Sequence, residues 1–342
     1  LMIIKMDVND DRHIIPEEQR KNVSSWFDAI LGRIRTDEWN NFYENLPTKL
    51  SNKFYKNKTF SNILKSFYKL YCEIFGPFHI LPDFLILGPG ACGTTSMLEL
   101  YLRSHKDIVP SKINEIKYFD RKHKNSINWY KSLFPSIFTK KFRKFLGKKT
   151  LTCEASGSYI LNPNSPKRIK EIIPNVKFIV MLRNPVDRTL SHYKRRIRNK
   201  KETKSLDDLI EYELNNFEKE FTNYVNNENS ISLYPAISYL SRSKYSQQLE
   251  TWFKCFPRDQ FLFINSNNYF KNPLKEYNRI LDFLELPSHY PDIKGKRGIS
   301  PPGLYDKIIV EPKTIKFLNN YFLSWNKKLF NLIKVKYNWD ES

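Results

Sequence analysis

Four short apolar runs punctuate the chain: residues 84–87, 150–154, 177–182 and 260–264. The first, Phe84–Leu87, is continuously apolar, which marks a strand buried on both faces. Segments of helical length separate the four runs, and strands alternating with helices predict a parallel sheet covered by helices. The expected fold class is therefore α/β, a three-layer arrangement over residues 81–342. Residues 1–80 read as an N-terminal helical extension, with helical spacing at Ser25–Leu31 and Phe60–Cys72 and a stop at Gly76-Pro77. Residues 200–230 are charged and Asn-rich, a helical or partly mobile excursion. A last helix over 312–334 carries Phe317, Leu318, Tyr321, Phe322, Trp325, Leu329 and Leu332 at helical spacing, a stripe expected to pack into the core rather than to stack on bases.

After the first apolar run comes Gly88-Pro-Gly-Ala-Cys-Gly-Thr-Thr-Ser96, and then the amphipathic run Met97–Leu102. Strand, glycine-rich turn and helix start together make an anion cradle, because backbone N–H groups converge there and the helix dipole favours negative charge. Three owners fit such a loop. Gly88-x-Gly90-x-x-Gly93 matches the dinucleotide fingerprint, with Glu115 at about the distance of its ribose-binding acid. That fingerprint wants its acid at the end of the second strand, whereas Glu115 precedes the run Ile116–Phe119. Gly88-x-x-x-x-Gly93-Thr-Thr is a P-loop with Thr94 where a nucleotide kinase needs lysine. A cradle for 3′-phosphoadenylyl sulfate (PAPS) needs only hydroxyls and N–H groups around a 5′-phosphosulfate.

The third apolar run opens a second strand–turn–helix unit, Lys177–Tyr193. Arg183 follows the strand, Pro185 starts the helix, and Ser191 lies two turns in. This brings a guanidinium and a hydroxyl to the carboxyl edge of the sheet, where α/β proteins bind ligands. A guanidinium fork suits a phosphate dianion; an Arg183–Asp187 surface pair is the plainer alternative.

Composition narrows the partners only a little. Across 342 residues, 57 Lys and Arg stand against 36 Asp and Glu, a net charge of +21 that attracts anions. Much of the excess is dispersed lysine among asparagine, and no aromatic-basic nucleic-acid module is recognisable, so no nucleic-acid partner is expected. The four cysteines (Cys72, Cys92, Cys153, Cys255) have no paired spacing, and the six histidines form no HxxxH or HExxH, so no metal is expected. No apolar run reaches the length of a membrane span. The start is too short and polar-flanked for a signal peptide, so a cytoplasmic protein is expected, or one of the Golgi lumen if an anchor precedes this segment.

Together the two motifs resemble the PAPS-dependent sulfotransferase family, most closely its heparan sulfate and bacterial-type branch. The resemblance rests on Phe84–Ser96 and Met181–Tyr193, about ninety residues apart. It continues through Arg242-Ser-Lys-Tyr245, Leu249-x-x-Trp252, Phe256-Pro257, Phe283-Leu-Glu-Leu286 and the final helix. It implies a P-loop-like fold and a sulfuryl transfer from PAPS to a hydroxyl or amine of a glycan or small molecule, leaving adenosine 3′,5′-bisphosphate (PAP). By the same resemblance Gly90, Ala91, Cys92, Gly93, Thr94, Thr95 and Ser96 hold the 5′-phosphosulfate, while Arg183 and Ser191 bind the 3′-phosphate. The basic loop Lys296-Arg297-Gly298 closes over the nucleotide, with its spacing shifted from the family's.

Asn114-Glu-Ile-Lys-Tyr-Phe-Asp120 resembles the family's Lys-Glu-x-His-Phe-Phe-Asp segment, which makes Glu115 the base that takes the acceptor's proton. Two positions depart from it, Asn114 for Lys and Lys117 for His. A third departure bears on catalysis. Where the family carries a lysine that neutralises the bridging oxygen as sulfate leaves, this chain has Ala91. Preorganised charge at such a point is commonly worth a few kcal/mol. Lys112 or Lys117 is the expected replacement; the alternatives are a PAPS- or PAP-binding protein without catalysis and an NAD(P)-dependent oxidoreductase.

Overall fold

The computed structural model describes residues 58–226, 238–291, 293 and 308–339. The N-terminal extension up to residue 57 and the Lys296-Arg297-Gly298 loop lie outside the described residues. The chain divides into two compact units, Leu1–Tyr68 and Lys69–Ser342. Helix α1 (Lys58–Phe75) gives way at Gly76 to a 3-10 turn, Gly76–Phe78, with Pro77 in it, as the sequence expects.

The second unit is built on five strands: β1 (Phe84–Leu87), β2 (Ile108–Pro110), β3 (Leu151–Ala155), β4 (Lys177–Leu182) and β5 (Phe261–Asn265). All pairings are parallel and the order is β2-β3-β1-β4-β5. β1 is central, since Ile86 pairs with Ala155 on one side and Ile179 on the other. Every residue of β1 is buried, as its unbroken apolar run requires. Four strands fall where the apolar runs predict them, within a residue at each end. β2 escapes the pattern because it is three residues long and ends in proline.

Thr94–Ser96 (α2) begins a helical run that continues through a π-helical turn, Met97–Tyr101, and a 3-10 turn, Leu102–Ser104. Eight further helices are α3 (Ile127–Ser132), α4 (Ile137–Phe145), α5 (Ser165–Ile172), α6 (Pro185–Arg198), α7 (Leu206–Asn226), α8 (Tyr245–Phe253), α9 (Ser266–Lys271) and α10 (Pro273–Phe283). The last, α11, spans Pro312–Ile333 and ends at Lys334 in the left-handed region. Helices thus flank a central parallel sheet, a P-loop-like α/β fold. Phe84, Ile86, Met97, Leu98, Ile179, Met181 and Ile280 share one apolar cluster between sheet and helices. A second joins α6, α7 and α11 through Val186, Leu209, Leu318 and Phe322. The aromatic stripe of α11 is therefore core packing, with Phe317 left exposed at its edge.

This topology places four segments at the carboxyl edge of the sheet: the loop after β1, the turn after β2, residues 156–157 after β3, and Arg183 after β4. The chain from β1 passes over β3 to reach β2, while β4 lies on the other side of β1. In open α/β sheets such a reversal is where ligands bind. A dinucleotide fold would pair its first two strands, whereas here β3 separates β1 from β2, so the oxidoreductase reading loses its architecture.

Candidate active site

The loop after β1 is clamped by close backbone contacts. A Cβ on Gly88 would lie 2.5 Å from Met181 O, and one on Gly157 would lie 2.5 Å from Gly88 O. Neither backbone carbonyl has room to retreat. Gly93 takes a left-handed conformation (φ 89°) to turn the loop into α2. Ala91 is also left-handed, with φ 79°, a conformation that a side chain makes unfavourable by about 1 kcal/mol. Ser266 Oγ donates to Cys92 O at 2.7 Å and so ties the loop to α9.

Arg183 joins this loop from β4. Its Nη1 donates to Ala91 O at 3.2 Å, and its guanidinium lies 5.5 Å from the Phe270 ring centre. Tyr245 Oη donates to Arg183 O at 2.9 Å, which fixes the backbone there. Asp187 stands 4.0 Å from Arg183 Nε, beyond hydrogen-bond reach, and that buried Nε makes no hydrogen bond. The surface-pair reading of Arg183 is thus incomplete, because an orphan cationic donor beside a glycine-rich loop fits an anionic ligand.

Helix α6 starts cleanly after Arg183. Asn184 Oδ1 accepts from Val186 N, Pro185 occupies the first turn, and Arg195, Arg196 and Arg198 fall in the last turn, where cations complement the dipole. Ser191 is half-buried on this helix. Positions 188, 191 and 195 share one stripe of α6 by spacing. Arg188 is fully buried and donates to Ser243 Oγ and Tyr239 O, both neutral. Arg195 Nη2 and Arg242 Nη1 come 3.1 and 3.7 Å from the point where a side chain at Gly90 would begin. Burial, with the charges of Arg188, Arg242, Arg195 and Arg196 adding to it, holds His192 well below its usual range and therefore neutral. Burial pushes the Cys92 thiol up, with Arg188 and Arg183 pulling weakly the other way, so Cys92 is an inert packing group.

Glu115 faces the loop from the opposite side. Its backbone is left-handed (φ 54°), its N–H donates to Ala155 O at 3.2 Å, and its Oε1 lies 3.5 Å from Gly157 N. One point beside Gly157 is 2.5 Å from Gly88 O and 3.8 Å from Glu115 Oε1, which sets the carboxylate at the mouth of the loop. Lys117 Nζ lies 3.9 Å from Glu115 Oε2. Lys112 is exposed and donates from Nζ to Ser132 O at 3.0 Å. Asn114 Nδ2 donates to Glu99 Oε1.

Beneath Glu115 lies a buried carboxylate that spacing did not reveal. Glu154 accepts from Tyr130 Oη (2.6 Å), Tyr159 Oη (3.0 Å) and Ser156 Oγ (2.7 Å). Tyr159 Oη in turn accepts from Tyr118 N, and Ser156 Oγ from Lys117 N. These bonds pin the 115–118 turn. Burial outweighs the three donors and raises the Glu154 carboxyl to about 7.

Of the loop residues read as phosphosulfate ligands, Thr95 is exposed, Gly90, Ala91 and Gly93 are half-buried, and Cys92, Thr94 and Ser96 are buried. Ser96 Oγ donates to Gly93 O and lies 2.9 Å from Tyr269 Oη, so its hydroxyl serves the loop's own structure.

A parallel sheet whose carboxyl edge carries a glycine-rich loop, with Arg183, Arg195 and Arg242 brought close to it, defines an α/β protein with its candidate site at a switch point. The sulfotransferase domain family matches residues 81–296, and the chain belongs to that family. It is 24% identical over 279 residues to heparan sulfate glucosamine 3-O-sulfotransferase 3B1 of Mus musculus, covering 76% of this chain and 65% of that protein. It is 26% identical over 328 residues to the membrane-associated sulfotransferase kil1 of Dictyostelium discoideum, covering 76% of this chain and 66% of that protein. The chain therefore spans about two thirds of the length of these relatives. A sulfotransferase structure from Alicyclobacillus acidocaldarius shares the fold, with a TM-score of 0.56 at 24% identity over 76% of this chain and 99% of that one.

Proposed function

We propose that this chain transfers a sulfuryl group from PAPS to a hydroxyl or amine of a glycan or small-molecule acceptor and releases PAP. The observation that carries the reading is the orphan Arg183 Nε beside the loop, with the Glu115 carboxylate at the loop's mouth. Arg183 and Ser191 take the 3′-phosphate that distinguishes PAPS from ATP. The first-turn N–H groups of α2 receive the 5′-phosphosulfate. Glu115 accepts the acceptor's proton as the acceptor oxygen or nitrogen attacks sulfur in line. The bridging S–O bond breaks, and its electron pair leaves with the nucleotide phosphate. Arg195 and Arg242, which approach the loop at Gly90, supply the charge that Ala91 lacks. Lys117 adds to the field at Glu115, while Lys112 is turned to Ser132 O. Similarity to glucosamine 3-O-sulfotransferases favours a sugar hydroxyl as acceptor.

Glu115→Gln is expected to lower transfer of labelled sulfate from PAPS by on the order of a hundredfold or more while PAP still binds in calorimetric titration. NADP binding with no response to PAP overturns the nucleotide assignment. Ala91 favours one second reading, a nucleotide-binding protein without catalysis. It prevails if the wild-type chain binds PAP, turns over no PAPS across an acceptor screen, and gains no transfer in Ala91→Lys.

A further inference from the structure

Helix α4 turns its polar side to the protein and its aromatic side to solvent. Arg143 donates from Nε to Thr150 Oγ1 at 3.0 Å and from Nη2 to Lys106 O, and Lys140 Nζ lies 3.9 Å from Asp83 Oδ1. Phe138, Phe142 and Phe145, at i, i+4 and i+7, occupy the opposite face and are 67%, 63% and 84% exposed. No residue of this helix is buried. The Phe138 ring stacks on Phe78, itself 48% exposed, which widens the aromatic strip. An amphipathic helix normally gives such a stripe to the core. This one offers it outward.

Charge says what covers it. Lys141 and Lys144 run along one side of the phenylalanine stripe, Lys148 follows the helix end, and all three are exposed. A row of aromatic rings bordered by lysines is the layout of a helix lying in the headgroup boundary of an anionic bilayer: rings enter the acyl edge while ammonium groups stay with the phosphates. The chain's charge of +21 draws the whole molecule the same way. No helix among the described residues is long and apolar enough to cross a membrane, so this contact is peripheral. The anchoring contacts give the orientation. Asp83, Lys106 and Thr150 each lie just before a strand (β1, β2 and β3), so α4 sits at the amino edge of the sheet, opposite the candidate active site.

We propose that α4 is a lipid-docking helix that seats the protein on anionic membrane surfaces with its active-site edge facing away from the bilayer. Co-sedimentation of the full chain with phosphatidylcholine vesicles, with and without roughly 30% phosphatidylserine, tests this. Binding is expected on the anionic vesicles alone and is expected to fall steeply as salt is raised from about 0.1 to about 0.5 M. Phe142→Ser with Phe145→Ser, and separately Lys141→Glu with Lys144→Glu, are each expected to weaken it about tenfold or more without changing melting temperature or PAP binding. Absence of binding to anionic vesicles, or undiminished binding by both double variants, overturns the proposal. So does a wild-type dimer that dissociates in the phenylalanine variant while ignoring vesicles, which assigns the face to a second copy of the chain.

Discussion

Arg195 Nη2 occupies the space that a side chain at Gly90 would enter, 3.1 Å from where its Cβ would be. The bare backbone at 90 therefore admits a guanidinium carried on α6 beside the position where the family's lysine is replaced by Ala91. Arg195→Gln is expected to lower sulfate transfer by on the order of a hundredfold. Adding Ala91→Lys to that variant should recover much of the loss, because the lysine then approaches from the loop itself. Gly90→Gln should mimic Arg195→Gln in rate yet leave thermal stability nearly unchanged, since its Cβ meets the far end of a flexible side chain. Steady-state kinetics with labelled PAPS, beside melting curves, checks the set. Full activity in Arg195→Gln assigns the charge elsewhere.

Arg183 offers a sharper nucleotide test. Its Nη1 is already used by Ala91 O, while the buried Nε makes no hydrogen bond. A lysine at 183 would keep the charge but lose the fork. Arg183→Lys is expected to weaken PAP binding by roughly tenfold to a hundredfold. Binding of adenosine 5′-phosphosulfate, which lacks the 3′-phosphate, should change little. Equal losses for both ligands would place Arg183 at the sulfuryl end instead.

The sheet was legible because β1 and β4 are unbroken apolar runs, a pattern fixed by burial on both faces. β2, three residues ending in Pro110, carries no such pattern, and only pairing with β3 makes it a strand. The placement of Arg183 just after β4 and of Ser191 on α6 was legible from local strand–turn–helix order. The closeness of Arg242 to the loop and of Glu154 to the 115–118 turn was not legible, because it depends on contacts across long sequence separations. Arg195 left a trace in the helical spacing from Arg188 through Ser191. Its approach to Gly90, however, is a tertiary fact. The π-helical turn at Met97–Tyr101 likewise follows from packing and not from spacing.

Gly157 is the structural counterpart of the loop's own glycines. A methyl group there would stand 2.5 Å from Gly88 O, a backbone atom that cannot swing aside. Gly157→Ala is expected to lower stability by about 1–3 kcal/mol and to weaken PAP binding as the loop shifts. Ala155 precedes it in β3 and already carries a Cβ, so the effect belongs to the contact with Gly88 and not to volume in general. Chemical denaturation with calorimetric titration of PAP measures both halves. Wild-type stability and affinity in the variant would mean that the loop yields freely.

Glu154 gives the fold a dependence on pH of unusual sign. Its carboxyl is raised from 4.5 to about 7 in the folded chain, chiefly by burial. Between those values the folded protein keeps a proton that the unfolded chain has released. Its contribution is fully present below about pH 4.5 and declines as pH rises through about 7, in total on the order of 3 kcal/mol. Glu154→Gln carries no titrating proton and retains an oxygen for the Tyr130 and Tyr159 hydroxyls. The difference in unfolding free energy between wild type and variant, measured by denaturant titration from about pH 5 to about pH 8, should move in the variant's favour as pH rises. A difference that stays flat across that range would show that the buried carboxyl ionises in the folded protein as it does in the unfolded chain.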